Sequence, residues 1–307
     1  MKKSGVFICV FFMFLGLAKS QKSLPEFPVS SEWLRSLEAK APSKATVKPL
    51  KKRKVLIFSL FTGFNHWTVP HTDEMVRILG TKTGAYDFVL TKNINDFSFD
   101  KLKSFDAVVL NNNCSKPDNR NIFYDVIAEN KKLTEAEIRA KAQVFEDDLL
   151  KYVSSGGGLI VLHGGIVMQN KSPEFGKMMG GSFDYHPAQQ AIDVQLVDPK
   201  HPLVKAFDGV GFTHVDEPYF FNNAYFDYNF RPLLSMESAK ITGVKETPKD
   251  KIKYVAWIKK YGEGRVFYCS PSHNPQSLDN VKLLRFLLDG FQYAIGDLKC
   301  DDSPMKR

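Results

Sequence analysis

At residues 156–165 the chain reads Gly156-Gly157-Gly158-Leu159-Ile160-Val161-Leu162-His163-Gly164-Gly165. An apolar run bounded by glycines is typical of a central strand in a parallel sheet. The two glycines after the histidine permit positive φ and close approach of the backbone. Enzymes with a strand-to-turn elbow hold a reactive side chain at this position, which is here an imidazole. The stretch predicts a functional His163 or, on a plainer interpretation, a hydrogen-bonded core histidine.

Strand and helix patterns alternate on either side of this segment. Residues 54–60, 86–90 and 105–110 are apolar runs of strand length. Thr134-Glu135-Ala136-Glu137 has the spacing of a capping box and opens a long helix. Such alternation predicts an α/β fold with a flavodoxin-like, doubly wound, mainly parallel sheet.

The second half of the chain is richer in β patterns. Residues 191–197 alternate as a strand does, and residues 254–258 and 265–269 are late strands before a closing helix over 281–294. Residues 180–187, rich in glycine and aromatic side chains, are predicted to form a loop. We therefore expect β-rich excursions in this half.

The first twenty residues have the pattern of a secretory signal peptide. Lys2 and Lys3 precede an apolar stretch that ends in Ala18-Lys19-Ser20, a small-x-small cleavage pattern before Gln21. The stretch is shorter than the about 20 residues that a membrane span needs. We expect an exported, periplasmic or extracellular protein with no membrane span after cleavage; an uncleaved anchor is the alternative.

The remaining chain divides into three segments. The first carries a short amphipathic helix around residues 32–37, whose Trp33, Leu34 and Leu37 are available to dock on the main body. The predicted boundaries are 1–20 for the signal peptide, 21–53 for an N-terminal lead-in and basic linker, 54–295 for the main domain and 296–307 for a C-terminal tail.

Charge and cysteine usage exclude several classes of protein. The formal charge falls from +8 to +5 once the three lysines of the leader are removed. The basic run over residues 44–54 has no interleaved aromatic residues, so it indicates a solvated linker and not a nucleic-acid surface. Cys114, Cys269 and Cys300 are odd in number and scattered, which argues against a disulfide framework but leaves one pairing open.

Three histidines follow the ends of predicted strands. His66 follows the first strand, His163 the glycine-flanked strand and His273 the strand over 265–269, while Asn112 follows the third strand. Ligands of open parallel sheets bind beyond the carboxyl ends of the strands. We therefore expect these four side chains at one edge of the sheet.

A metal site is one interpretation of this cluster. A zinc-like site would take nitrogen from two of His66, His163 and His273 and an oxygen from Glu217 or Asp216, with one position open for substrate or water. The other interpretation is shared acid–base work, because imidazole titrates near neutrality. His66, His163 and Glu217 are thus the predicted catalytic residues and metal ligands, and no nucleotide cofactor is expected.

Further side chains are predicted to border the site. Pro218, Tyr219 and Phe220 give Glu217 an aromatic setting that is expected to raise its pKa. The alternative is that Asp216 and Glu217 are an ordinary pair of solvated carboxylates. The predicted substrate-binding residues are Asn112, Trp67, His186, Tyr219 and His273.

Two histidines are given plainer roles. His201 precedes proline and is predicted to lie in a turn. His71 is expected at the surface, before a helix that begins at Asp73 with Thr72 as its cap.

With these motifs in view, the chain resembles the ThuA-like (trehalose-utilisation) family, whose fold is similar to class I glutamine amidotransferases. Ser272 departs from the glycine that the family normally places before the last histidine, and this affects the shape of that loop. The resemblance runs from about Lys54 to Ile295 and rests on Gly63-Phe64-Asn65-His66, residues 156–165, Gly180-Gly181-Ser182-Phe183, His186-Pro187, Asp216-Glu217-Pro218-Tyr219, Trp257 and residues 262–268.

The amidotransferase relatives hydrolyse glutamine with an elbow cysteine, whereas this chain has His163 there and its cysteines elsewhere. Glutaminase activity is therefore not carried over. The resemblance implies a role in carbohydrate catabolism, as a hydrolase, lyase or isomerase acting on a glycoside or keto-sugar. A non-catalytic carbohydrate-binding protein and a structural accessory are the alternatives. The expected partner is a small carbohydrate, and a homo-oligomer is left open.

Overall fold

The computed structural model describes residues 24–245 and 250–305. The predicted signal peptide lies outside these residues. The helices are α1 (Ser31–Lys40), α2 (Val69–Thr83), α3 (Phe99–Leu102), α4 (Ile122–Ile127), α5 (Glu135–Ser154), α6 (Pro173–Met179) and α7 (Val281–Ala294). The strands are β1 (Lys54–Phe58), β2 (Asp87–Thr91), β3 (Ala107–Asn111), β4 (Gly158–Leu162), β5 (Ser182–Tyr185), β6 (Gln190–Leu196), β7 (Phe212–Asp216), β8 (Phe220–Asn222), β9 (Arg231–Glu237), β10 (Ile252–Tyr261) and β11 (Gly264–Cys269).

The main sheet has nine strands in the order β2-β1-β3-β4-β11-β10-β9-β6-β7. Its first five strands pair in parallel. Among them, β1, β3 and β4 are almost wholly buried, as their continuous apolar composition predicts. The pairings from β11 to β7 are antiparallel. The predicted α/β fold with a mainly parallel sheet and a β-rich second half is therefore confirmed.

Alternate side chains of the parallel strands enter two apolar cores. Ile57, Val109 and Ile160 pack on the side of α1, α2 and α7. Val108 and Val161 pack on the opposite side, with α4, α5 and α6. Burial of each such side chain contributes about 1.5–3 kcal/mol, so strands covered on both faces hold the elbow strand rigidly in the centre of the sheet.

Local signals set several helix ends as predicted. Thr134 and Glu137 form the capping box at the start of α5. The closing helix α7 covers residues 281–294, with the side chain of Asn280 accepting hydrogen bonds at its N-terminus. The lead-in helix α1 docks through the buried Leu37, and Trp33 and Leu34 pack against the same core.

Three local predictions are wrong. Helix α2 begins at Val69 and not at Asp73, because Pro70 is tolerated in the first helical turn; Thr72 lies inside the helix, and His71 is buried and not exposed. The segment predicted as a loop over 180–187 contains β5, which pairs with β8 in a small second sheet. Among the described residues, no helix combines the length and apolarity needed to cross a membrane.

Candidate metal centre

The elbow after β4 is strained at the histidine itself. His163 has φ of +43° and opens a 3-10 helix over His163–Val167, whereas the left-handed conformation was expected of the glycines. Gly164 instead allows the side chains of neighbouring residues to approach its backbone closely. A Cβ there would lie 3.1 Å from both Cys114 Sγ and His66 Cε1. The missing side chain lets the first and fourth strands bring their histidines together.

Four side chains converge beyond the carboxyl ends of the parallel strands. His66, His163, His273 and Glu217 each offer one ligand atom, and these atoms all lie within 4.8 Å of one another. The three histidines are buried, while the side chain of Glu217 keeps 16% of its surface exposed. The structure thus joins the three predicted metal residues and adds His273 to them.

His163 is bracketed by two acceptors. Its Nδ1 lies 3.1 Å from the carbonyl oxygen of Ser270, and its Nε2 lies 3.1 Å from Glu217 Oε2. A neutral ring has one N–H and satisfies one of them, so the pair calls for an imidazolium or a cation in place of the second proton. Burial, with a contribution from His273, lowers the pKa of His163 and disfavours the imidazolium. The arrangement around His163 could therefore hold a cation.

His273 is oriented by a carboxylate. Its Nδ1 donates to Asp216 Oδ1 at 2.9 Å, which leaves Nε2 as the nitrogen that can ligate. Burial opposes the charged ring, but the hydrogen bond and charge of Asp216 outweigh it and raise the pKa of His273. The ring stacks on that of His163 with centroids 4.2 Å apart. A ligand histidine whose other nitrogen donates to a carboxylate is the usual arrangement at metal sites.

His66 and Cys114 form a second close contact. Burial and the neighbouring imidazoles lower the pKa of His66 to about 2, so its ring stays neutral. Cys114 Sγ lies 3.8 Å from His66 Nδ1 and 3.8 Å from the carbonyl oxygen of Gly164. This thiol was expected elsewhere in the fold. Burial raises its pKa to about 12, so the residue remains a thiol and not a nucleophilic thiolate.

The carboxylate of Glu217 differs from the sequence-based expectation. Burial does favour a higher pKa, as predicted, but the contact with His163 and the charges of the neighbouring imidazoles outweigh it and lower the pKa of Glu217. His186 Nε2 lies 3.6 Å from the same carboxylate oxygen. Glu217 is therefore ionised at neutral pH and available as a charged ligand.

The predicted substrate-binding residues occupy different places. Tyr219 is buried against His163, with ring centroids 4.0 Å apart, and His186 stacks on Tyr219 with 36% of its side chain exposed. Asn112 holds the elbow, because its Oδ1 accepts from the Gly164 N–H at 3.1 Å. The cluster therefore reaches solvent on the side of Glu217 and His186.

Two aromatic residues near His66 face different surroundings. The ring of Trp67 contacts Phe27 and His71. Phe64 is 66% exposed, and its ring centroid lies 4.7 Å from that of His66. Phe64 is thus the exposed aromatic surface beside the histidine cluster.

The sequence profile of a family described as ThuA, trehalose utilisation, matches residues 54–294. The chain belongs to the ThuA family. A protein described as ThuA-like from Bacteroides uniformis is 17% identical, with a TM-score of 0.58 over 81% of this chain and 94% of that one. A second ThuA-like protein, from Parabacteroides merdae, is 19% identical, with a TM-score of 0.56 over 83% and 98%. These two structures support the fold, and no curated protein matches the chain.

Proposed function

We propose that this ThuA-family chain is an exported enzyme of carbohydrate catabolism that acts on a glycoside or keto-sugar with a zinc-like divalent metal. The family description supports the carbohydrate role. The leader pattern of residues 1–20 supports export. The proposal of a metal ion is supported by the side chains of the described residues.

The observation that carries the proposal is the shared ligand set with its outer partners. Four ligand atoms lie within 4.8 Å of one another. His163 and His273 turn their Nδ1 atoms to the Ser270 carbonyl and the Asp216 carboxylate. Such partners fix the ring orientation and tautomer of metal-bound histidines. Imidazole and carboxylate donors together suit zinc or a similar transition metal.

A divalent ion bound here would supply a Lewis acid that polarises a sugar carbonyl or activates water. The protein's own contribution lies at the exposed end of the cluster. Glu217 and His186 are the two side chains there that reach solvent and can hold or transfer a proton beside a sugar. The ring of Tyr219 stacks on that of His186, with centroids 5.5 Å apart.

Glutaminase chemistry is not part of the proposal. The elbow position is His163, and burial raises the pKa of the nearby Cys114 to about 12. Nucleophilic attack requires a thiolate, which this environment disfavours.

The test combines metal analysis of the purified protein with thermal unfolding in trehalose and a keto-disaccharide, followed by product analysis. We expect about one zinc per chain, stabilisation by one of the sugars and turnover that is lost in His163→Ala. Because His163 is fully buried, Glu217→Gln serves as a second variant, and circular dichroism checks the fold of both. Full activity in His163→Ala rejects the proposal. Stabilisation by sugar without metal or turnover indicates a non-catalytic binding protein, and no stabilisation by either sugar indicates a structural accessory.

A further inference from the structure

We propose that the N-terminal segment before α1 is part of the metal centre. A hydrogen-bond relay joins the backbone N–H of Leu24 to His273 through Gln189, Asn274 and Asp216. The inference rests on the proposed metal site, because it assigns these residues the task of positioning one of its ligands.

In the outer half of the relay, the order of donors and acceptors is fixed. The N–H of Leu24 donates to Gln189 Oε1 at 2.6 Å, and Gln189 Nε2 donates to Asn274 Oδ1 at 3.2 Å. A backbone N–H can only donate, so it fixes which end of the Gln189 carboxamide faces Asn274. The orientation of this amide thus follows from chemistry and not from an arbitrary choice of O and N.

The inner half has the same direction, set from its other end. Asn274 Nδ2 donates to the carbonyl oxygen of Val215 at 2.9 Å and to Asp216 Oδ1 at 3.3 Å. A carbonyl can only accept, so Asn274 presents its own oxygen to Gln189. Asp216 Oδ1 in turn accepts from His273 Nδ1. Every donor in this relay therefore faces an acceptor.

The segment is also tied to the loops of two ligands. The carbonyl oxygen of Pro25 accepts from Gln276 Nε2 at 2.8 Å, three residues beyond His273. The ring of Phe27 lies edge-on to that of Trp67, which directly follows His66, and to that of His71 near the start of α2, with centroids 5.6 Å and 5.1 Å away. Residues 24–27 thus connect the loops that carry His66 and His273.

The consequence is a dependence of metal affinity on a segment to which the sequence assigned no chemistry. Loss of a direct partner of a metal-bound histidine typically costs about 10- to 100-fold in metal affinity. A break further out in the relay leaves the Asp216–His273 hydrogen bond in place but loosens Asp216. We therefore expect a smaller, several-fold loss.

The experiment compares Leu24→Pro, which removes the donating N–H, with Leu24→Ala, which keeps it. Zinc affinity of the full-length mature protein is measured by competition with a chromophoric chelator. We expect several-fold weaker binding in Leu24→Pro and Gln189→Ala than in Leu24→Ala, with no further loss in the double variant, because both changes break one relay. Equal affinities of Leu24→Pro and Leu24→Ala would overturn the inference.

A second measurement separates this inference from the metal proposal. Nitrogen-15 NMR of the zinc-free protein reports the His273 tautomer and the exchange of its Nδ1 proton. We expect an Nδ1–H signal that is retained in Leu24→Ala and broadened in Leu24→Pro, while circular dichroism shows both variants folded. An unchanged His273 signal in Leu24→Pro would contradict the proposed relay even if zinc binds. If the wild type does not bind zinc but the His273 signals of Leu24→Ala and Leu24→Pro still differ, the result would contradict the metal proposal alone.

Discussion

The two halves of the sheet contribute to the site in different ways. The parallel half places His163 directly after β4, His273 shortly after β11 and His66 in the loop that follows β1. The antiparallel half provides Asp216 at the end of β7 and Glu217 after it. The parallel half thus delivers the imidazoles, while the antiparallel half delivers the negative charge that a divalent cation needs.

The strand-end rule accounts for the histidines but not for Glu217. Carboxyl ends of parallel strands share one edge, which explains the meeting of the three histidines. Four strands separate β4 from β7 in the sheet order, yet Glu217 lies 3.1 Å from His163. The antiparallel half must therefore curl over that edge, in keeping with the twist of large sheets.

Removing one ligand from each half tests whether both halves are required. We expect His66→Gln and Glu217→Gln to weaken zinc binding by more than about 100-fold each, beyond the range of outer-shell changes. The chelator competition assay measures the loss. Glu263→Gln, an exposed carboxylate at the β10–β11 turn, is the matched control and should bind as the wild type does. Wild-type affinity in Glu217→Gln would show that the antiparallel half supplies no ligand.

The partner of His273 is the next test. Asp216→Asn removes the charge that holds this ring, so we expect zinc affinity to fall by roughly 10- to 100-fold. The control is Asp193→Asn. Asp193 lies on β6 and accepts a hydrogen bond from the hydroxyl of Thr213 on β7. Equal affinities for the two variants would mean that Asp216 does not act through His273.

The pH dependence of zinc binding sharpens the same point. The pKa of His273 is raised above 6.5, whereas those of His163 and Glu217 are lowered and that of His66 falls to about 2. Proton and metal compete for one His273 nitrogen, so affinity should drop about tenfold per pH unit below its raised pKa. Titration between pH 5 and 8 measures the midpoint, which Asp216→Asn should move to lower pH. A midpoint that stays in place would contradict the assignment.

The strands of the parallel half could be predicted from the sequence, whereas the contacts made by the antiparallel half could not. The apolar runs predicted β1, β3 and β4, and hence the place of His66 and His163. The pairing of Asp216 with His273 could not be predicted, because it depends on the curl of strands far apart in the sheet order. The Ser270 contact uses a backbone oxygen, and a backbone atom leaves no trace in residue type. Cys114 was missed because the sequence does not show that Gly164 admits its sulfur beside His66.

The smallest expected effect concerns the packing that joins two parallel-half loops. Gly164→Ala places a Cβ 3.1 Å from Cys114 Sγ and His66 Cε1, so we expect a loss of about 1–3 kcal/mol in unfolding free energy. Urea denaturation measures it. Gly209→Ala lies in open space at a left-handed φ, so it should cost stability through strain while leaving zinc affinity unchanged. Unaltered stability in Gly164→Ala would show that this close approach is unimportant.

The most direct test of the shared metal centre is anomalous diffraction at the zinc edge from crystals of the zinc-loaded protein. We expect one strong peak at about 2.0–2.2 Å from nitrogen atoms of His66, His163 and His273 and from a Glu217 oxygen. A strong peak elsewhere, or no peak among these four side chains at saturating zinc, would contradict it.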